Sequence, residues 1–242
     1  MPPTALGEFL GTLVLLLFGN GVVAGVLLKD SKAQGSGWLV IALGWGVAVL
    51  LGVFTSLAFG GPGELNPAVT LANLALGVHT TSVALAHVAA QFAGGMVGAA
   101  LVWLHYLPHW ERTPDPGTKL ACFSTGPAVR STGANLLSEM IGAGALVFVA
   151  NSVLSVAAQG AQPASNLAPV LVGTIVLGIG MSLGGTTGYG SNPARDLGPR
   201  IMHAVLPIAG KGDSDWSYSW IPVIGPIAGA VLAALAFARL QP

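Results

Sequence analysis

The chain has 242 residues, 53% of them hydrophobic and 7% charged, and its nine basic and nine acidic side chains balance to zero net charge. Soluble domains carry about 25% charged residues, so most of this surface faces lipid, and there is no basic patch for nucleic acid or for peripheral attachment to a membrane. The lone Cys122 excludes a disulfide framework and a thiolate metal site, and His79, His87, His105, His109 and His203 show no ligand spacing such as HExxH, so neither metal nor cofactor is expected.

In chain order, six segments are long and apolar enough to cross a hydrocarbon core of about 30 Å, which takes roughly 20 residues. They are Thr4–Leu28, Trp38–Leu57, Ser82–His105, Thr132–Val156, Ala168–Leu183 and Trp220–Arg239. The first lacks a basic leader and is too long for a signal-peptide core, so it reads as a span rather than a cleaved signal. Two further apolar segments, Asn66–Leu76 and Asn192–Val205, are too short; at about 1.5 Å per residue each covers roughly half a bilayer. Short, Gly/Pro-interrupted segments at matching places in two halves point to a site at the membrane midplane.

The halves match in order. Glu8, in Gly7-Glu8-Phe9-Leu10-Gly11, parallels Glu139, in Ser138-Glu139-Met140-Ile141-Gly142; Asn66 parallels Asn192, and Ala93-Gly94 parallels Ala228-Gly229. Residues 1–106 form the first repeat, 107–131 a proline-containing connecting loop and 132–242 the second repeat. Three spans per half is an odd number, so the second half is inverted relative to the first. Small residues at Gly94/Gly98 and Gly225/Gly229 predict close helix contacts.

The triplet Asn-Pro-Ala occurs twice, as Asn66-Pro67-Ala68 and Asn192-Pro193-Ala194. Asn before Pro is the order of an N-cap and a first helical residue. The side-chain oxygen satisfies a helix N–H and leaves the NH2 as a donor, while the two helix dipoles place positive potential at one point and disfavour cations and protons. Arg195, third in the second short helix, is costly to bury in a membrane and is expected to face a water-filled cavity rather than to pair with the adjacent Asp196. Glu8 and Glu139 are the only acids within the long spans. Their symmetric placement fits carboxylates that accept N–H groups of the irregular loops, which unpaired would cost several kcal/mol each; the rival is a proton-coupled carrier using them. No nucleophile–base pair lies in the spans, so an enzyme is not expected.

On these residues the chain resembles the aquaporin and glycerol-facilitator family over essentially its whole length. The stretch Gly188 to Arg200, with Asp196 after the arginine, is similar to the glycerol-conducting branch, in particular to the facilitators of lactic acid bacteria. The resemblance implies an all-α membrane protein of six transmembrane helices plus two re-entrant half-helices, a homotetramer in a lipid bilayer, the bacterial plasma membrane, with cytoplasmic termini. It implies passage of glycerol and similar small neutral solutes with water, and undissociated lactic acid as the alternative cargo. It places the selectivity filter on Arg195, on Tyr189 as an aromatic, on Gly180 as the small position that makes room for that ring, and on Leu43 in span two. Trp45 competes with Leu43, and at about 200° apart on a helix only one of them can face a pore. Glu64, two residues before the first Asn, stands where the family commonly has a neutral residue or histidine. The orientation conflicts with the charge bias: Lys29, Lys32, Arg112, Lys119, Arg130 and Lys211 lie on the side opposite the termini, which carry only Arg239.

Overall fold

The computed structural model describes residues 3–160 and 163–241, which form ten helices with no strand among them. They are α1 (Pro3–Leu27), α2 (Trp38–Ala58), α3 (Pro67–Ala75), α4 (Thr81–His105), α5 (Leu107–Arg112), α6 (Pro116–Ala121), α7 (Thr132–Gly160), α8 (Pro163–Ser182), α9 (Pro193–Val205) and α10 (Ile221–Leu240). Within the described residues α1, α2, α4, α7 and α10 are long and apolar enough to cross a bilayer, and α8, with 20 residues, extends over about 30 Å. The protein is a multi-pass membrane protein. Large apolar side chains such as Phe18, Leu39, Val47, Phe54 and Leu85 stand exposed on the outer faces of these helices, as a lipid solvent requires.

The spans agree with the hydropathy pattern to within a residue or two, except at α7 and α8. There α7 runs to Gly160 and α8 opens at Pro163, earlier than expected; a proline is tolerated in the first turn, where its missing N–H would have no partner. The connector also departs from the expected loop. Pro116 opens α6, capped by Asp115, whose carboxylate accepts the Thr118 N–H at 2.7 Å, and Pro108 sits in the first turn of α5.

Packing is mirrored between the halves. In the first, α1 lies against α2 and α4; in the second, α7 lies against α8 and α10, and α2 meets α8 where the halves join. Each short helix crosses over: α3 packs on α10, and α9 packs on α4. These contacts need small residues. A Cβ on Gly98 would stand 2.6 Å from the Leu13 carbonyl oxygen, and Gly94 and Gly229 leave still less room beside the carbonyls of Phe9 and Met140. Gly46 and Gly173 face each other across the α2–α8 contact in the same way.

Replacing Gly229 with Val is therefore expected to force α7 and α10 apart and cost about 1–3 kcal/mol or more, read as a lower melting temperature in detergent. Gly133→Ala, at a position with open space around it, is expected to leave the melting temperature unchanged. Equal melting of Gly229→Val and the parent chain would remove this account of the packing.

Candidate functional site: a cavity between the two short helices

The two short helices begin alike. Asn66 and Asn192 have nearly the same backbone conformation, φ −152° with ψ 114° and 108°. Asn66 Oδ1 accepts the Ala68 N–H at 2.9 Å, and Asn192 Oδ1 accepts those of Ala194 at 2.9 Å and Arg195 at 3.2 Å. The residue before each Asn is left-handed, Leu65 with φ 52° and Ser191 with φ 45°. Such non-glycine conformations cost of order 1–3 kcal/mol and persist only where surroundings fix them. Here the turn aims each carbonyl at the opposite helix start. Asn66 Nδ2 donates to the Ser191 oxygen at 2.9 Å, and Asn192 Nδ2 donates to the Leu65 oxygen at 2.8 Å. One N–H of each amide is thus committed between the two helix starts, and one is left for a molecule in the cavity.

The loops before these helices are held by the two expected carboxylates. Buried Glu8 accepts the N–H groups of Gly63, Glu64 and Leu65 at 2.8–3.1 Å, and also Ser56 Oγ and Gln91 Nε2. Buried Glu139 accepts those of Gly190 at 3.0 Å and Ser191 at 2.8 Å. With these donors committed, no protein donor among the described residues is bonded to the Gly63 or Glu64 carbonyl, and both residues line the cavity. Ser56 and Gln91 lie outside the sequence expectation, although a glutamine inside an apolar span is a signal of the same kind as Glu8.

The cavity has about 230 Å³ of space, several times the share of about 30 Å³ that a water molecule takes in the liquid. Its lining takes polar groups from the loops and short-helix starts, the Gly63–Leu65 and Gly190–Ser191 backbone with Asn66, Asn192, Tyr189 and Arg195, and mostly aliphatic side chains from the long helices, among them Val49, Val53, Val147, Leu154, Val176 and Ile179.

Arg195 is buried and its guanidinium lies 4.2 Å from the centre of the Trp45 ring. Its hydrogen bond within the protein is a long one, 3.5 Å to the Phe123 carbonyl, which leaves most of its five donors for the cavity. Tyr189 also lines the cavity, and Trp38 meets its ring edge-on at 5.8 Å while donating to the Gly180 carbonyl at 3.0 Å. Gly180 makes the expected room: a Cβ there would stand 2.9 Å from the Tyr189 ring.

Leu43 is a correction. It is 44% exposed in a groove on the outer face with Phe18, Val22 and Val47, whereas Trp45 is 3% exposed and lines the cavity. The two point apart because two helical residues differ by about 200°, and Trp45 is the one that turns inward.

Asp196 does not pair with Arg195. Its carboxylate is fully buried against Arg200, one turn on, at 2.8 Å, and accepts the Thr125 N–H and hydroxyl at 2.7 and 2.6 Å. Arg200 in turn donates to the carbonyls of Thr125 at 2.9 Å and Ser214 at 2.8 Å. This pair ties the connector and the loop before α10 to α9, and Arg195 keeps its charge free for the cavity.

Removing one member of a buried pair leaves an uncompensated charge, typically costing about 3–5 kcal/mol. Asp196→Ala is therefore expected to lower the melting temperature sharply or to abolish folding. Asp30→Ala, which breaks the exposed Asp30–Arg112 pair, should melt like the parent. Similar melting of both variants would contradict the role given to Asp196.

Comparison with known proteins agrees with this geometry. Residues 3–237 match the family model described as Major intrinsic protein. Glycerol uptake facilitator protein 3 of Lactiplantibacillus plantarum is 53% identical over 232 residues, which cover 96% of this chain and 94% of that protein. A probable glycerol uptake facilitator protein of Thermotoga maritima is 53% identical over 229 residues, 95% of each chain. Among solved structures, the aquaglyceroporin from Plasmodium falciparum is similar with a TM-score of 0.86 at 28% identity, over 98% of this chain and 96% of that one. Alike in sequence and in fold, the chain belongs to the major intrinsic protein family.

Proposed function

We propose that this protein is a passive channel through which glycerol and similar small uncharged solutes, with water, diffuse across the membrane. The observation that carries this reading is the mixed lining of the cavity, with hydrogen-bonding groups from the loops and short-helix starts and aliphatic side chains from the long helices. A short polyol has the same division, hydroxyls on one edge and C–H groups on the other. It can exchange water for carbonyl acceptors and amide or guanidinium donors while its carbon side stays on apolar wall. The glycerol in the relatives' names supports the same cargo.

In this reading Arg195, Tyr189 and Trp45, with Gly180 behind the tyrosine, form the size and polarity filter. Arg195 donates to a solute hydroxyl and repels cations. Asn66 and Asn192 each offer their remaining N–H to the passing oxygen, and the two helix N-termini add positive potential that disfavours protons and cations. Glu8 accepts from three loop N–H groups, Ser56 and Gln91, and Glu139 accepts from two loop N–H groups, so both carboxylates are committed to the loops, which argues against the proton-coupled carrier. Residues 1–106 and 132–242 act as inverted repeats joined by 107–131, and the protein is a homotetramer of a bacterial plasma membrane.

Cytoplasmic termini run against the charge bias, but four of the six opposing cations are engaged within the protein, Arg112 with Asp30 among them. Lys211 donates to the carbonyls of His203, Ala204 and Leu206 at the end of α9, buried Lys119 donates to the Ala209 carbonyl, and Arg130 pairs with Asp215. Such cations serve structure, so they weigh less in the positive-inside comparison.

Stopped-flow light scattering of proteoliposomes tests the proposal. Rapid glycerol entry that does not saturate, with sorbitol excluded and no proton current, is expected; saturable flux that follows a proton gradient, or glycerol entry no faster than in empty vesicles, would overturn it. An undissociated lactic acid gradient in the same assay decides the alternative cargo. Trp45→Ala is expected to admit larger polyols several-fold faster, and Gly180→Val to cut glycerol flux at least several-fold by pushing the Tyr189 ring into the path. Leu43→Ala is expected to behave as the parent.

A further inference from the structure

At the end of the cavity near the N-terminus of α1, three side chains that no sequence spacing groups together converge. Glu64 lies on the loop before α3, His79 on the turn after it, and His87 on the first turns of α4. One ligand atom from each lies within 4.8 Å of the other two. His79 Nε2 is 2.7 Å from Glu64 Oε1, and His87 Nδ1 is 3.6 Å from Glu64 Oε2. The imidazole rings meet edge to face, with centres 5.2 Å apart.

We propose that Glu64, His79 and His87 form a binding site for a divalent transition-metal ion of the Zn²⁺ type, reached from the cavity. Two observations carry this beyond a hydrogen-bonded cluster. First, His87 is 1% exposed, and its Nδ1, aimed at Glu64, has no hydrogen-bond partner. Leaving a buried polar atom unpaired is destabilising, and coordination removes that cost. Second, the other nitrogen of the same ring is already held: His87 Nε2 lies 2.8 Å from Thr4 Oγ1. Where the Thr4 hydroxyl accepts from Nε2–H, Nδ1 carries the lone pair, the outer-shell arrangement that orients metal-ligating histidines.

Two histidines and one carboxylate are a ligand set for zinc that keeps a fourth position open. Metal–ligand distances of about 2.0–2.2 Å place tetrahedral ligands about 3.4 Å apart, so the His79–Glu64 pair opens from 2.7 Å and the His87–Glu64 pair closes slightly from 3.6 Å. Glu64 lines the cavity, so water can fill the fourth position. Thr70 Oγ1 and Asn73 Nδ2 also donate to the Glu64 carboxylate and would hold it in place as it turns to the ion. Binding replaces the His79 Nε2–Glu64 Oε1 hydrogen bond with bonds from both groups to the ion. This site is independent of the solute that the channel carries.

The test is titration of the purified chain, its affinity tag removed, with Co²⁺, followed by visible absorption. One equivalent giving the intense bands of a tetrahedral site, bleached by equimolar Zn²⁺, is expected. The bands should be lost, with affinity at least tenfold weaker, in His79→Ala, His87→Ala and Glu64→Gln, and retained in His105→Ala. His79 sits on a turn, so His79→Ala serves if the buried variants fail to fold. Absence of a one-equivalent tetrahedral spectrum in the parent chain, or bands undiminished in His79→Ala, would overturn the proposal.

Discussion

Two helices that start in the middle of a membrane protein leave their first N–H groups, and the loops that lead to them, without water to satisfy them. An unsatisfied backbone group in hydrocarbon costs several kcal/mol, and here two such starts lie face to face. The Asn66 and Asn192 side-chain oxygens take up helix N–H groups, while their Nδ2 groups join the two starts by an exchange with the Ser191 and Leu65 carbonyls. It requires left-handed backbone at Leu65 and Ser191, which Glu8 and Glu139 hold from behind by accepting the N–H groups of those same residues. The packing follows from this constraint. Each short helix leans on the last long helix of the other half, so neither half can complete its own loop alone.

The same arrangement produces the cavity's chemistry. Turning the loop N–H groups outward to buried carboxylates leaves carbonyls beside the cavity, and the caps leave one amide donor each. The polar part of the lining therefore arises from backbone satisfaction, and the long helices supply most of the aliphatic part. Arg195 is affordable at this depth because Trp45 covers one face of its guanidinium, and such a contact contributes up to about 2 kcal/mol when desolvated. The neighbouring charge that could have neutralised it, Asp196, is instead committed to Arg200.

Much of this was legible in the chain. Hydropathy located the long helices, and Asn-Pro located the starts of α3 and α9 to the residue, because an N-cap followed by proline is a local signal. Glu8 and Glu139 were legible as lone acids in apolar spans. The rest depended on rotation and on distance. Leu43 and Trp45 are both apolar residues on one apolar helix, and hydropathy carries no phase when every face is hydrophobic; only the packed structure shows that Trp45 turns inward. The Asp196–Arg200 pair fits a one-turn spacing, but its value lies in the Thr125 and Ser214 partners, which are remote in sequence. The short helices α5 and α6 were hidden because prolines that punctuate a loop can also open a helix. Glu64, His79 and His87 come together only because α3 folds back over its own leading loop.

The central claim is that the midplane amides and Arg195 form one edge that hydrogen-bonds a permeating polyol. The most direct measurement is a high-resolution structure of the protein soaked in glycerol. The account predicts glycerol in the cavity with its hydroxyls within hydrogen-bond distance of Arg195 and of the free N–H groups of Asn66 and Asn192, its carbons against the apolar wall. Glycerol absent from this cavity at saturating concentration, or seated with its carbons against the amide edge, would contradict it.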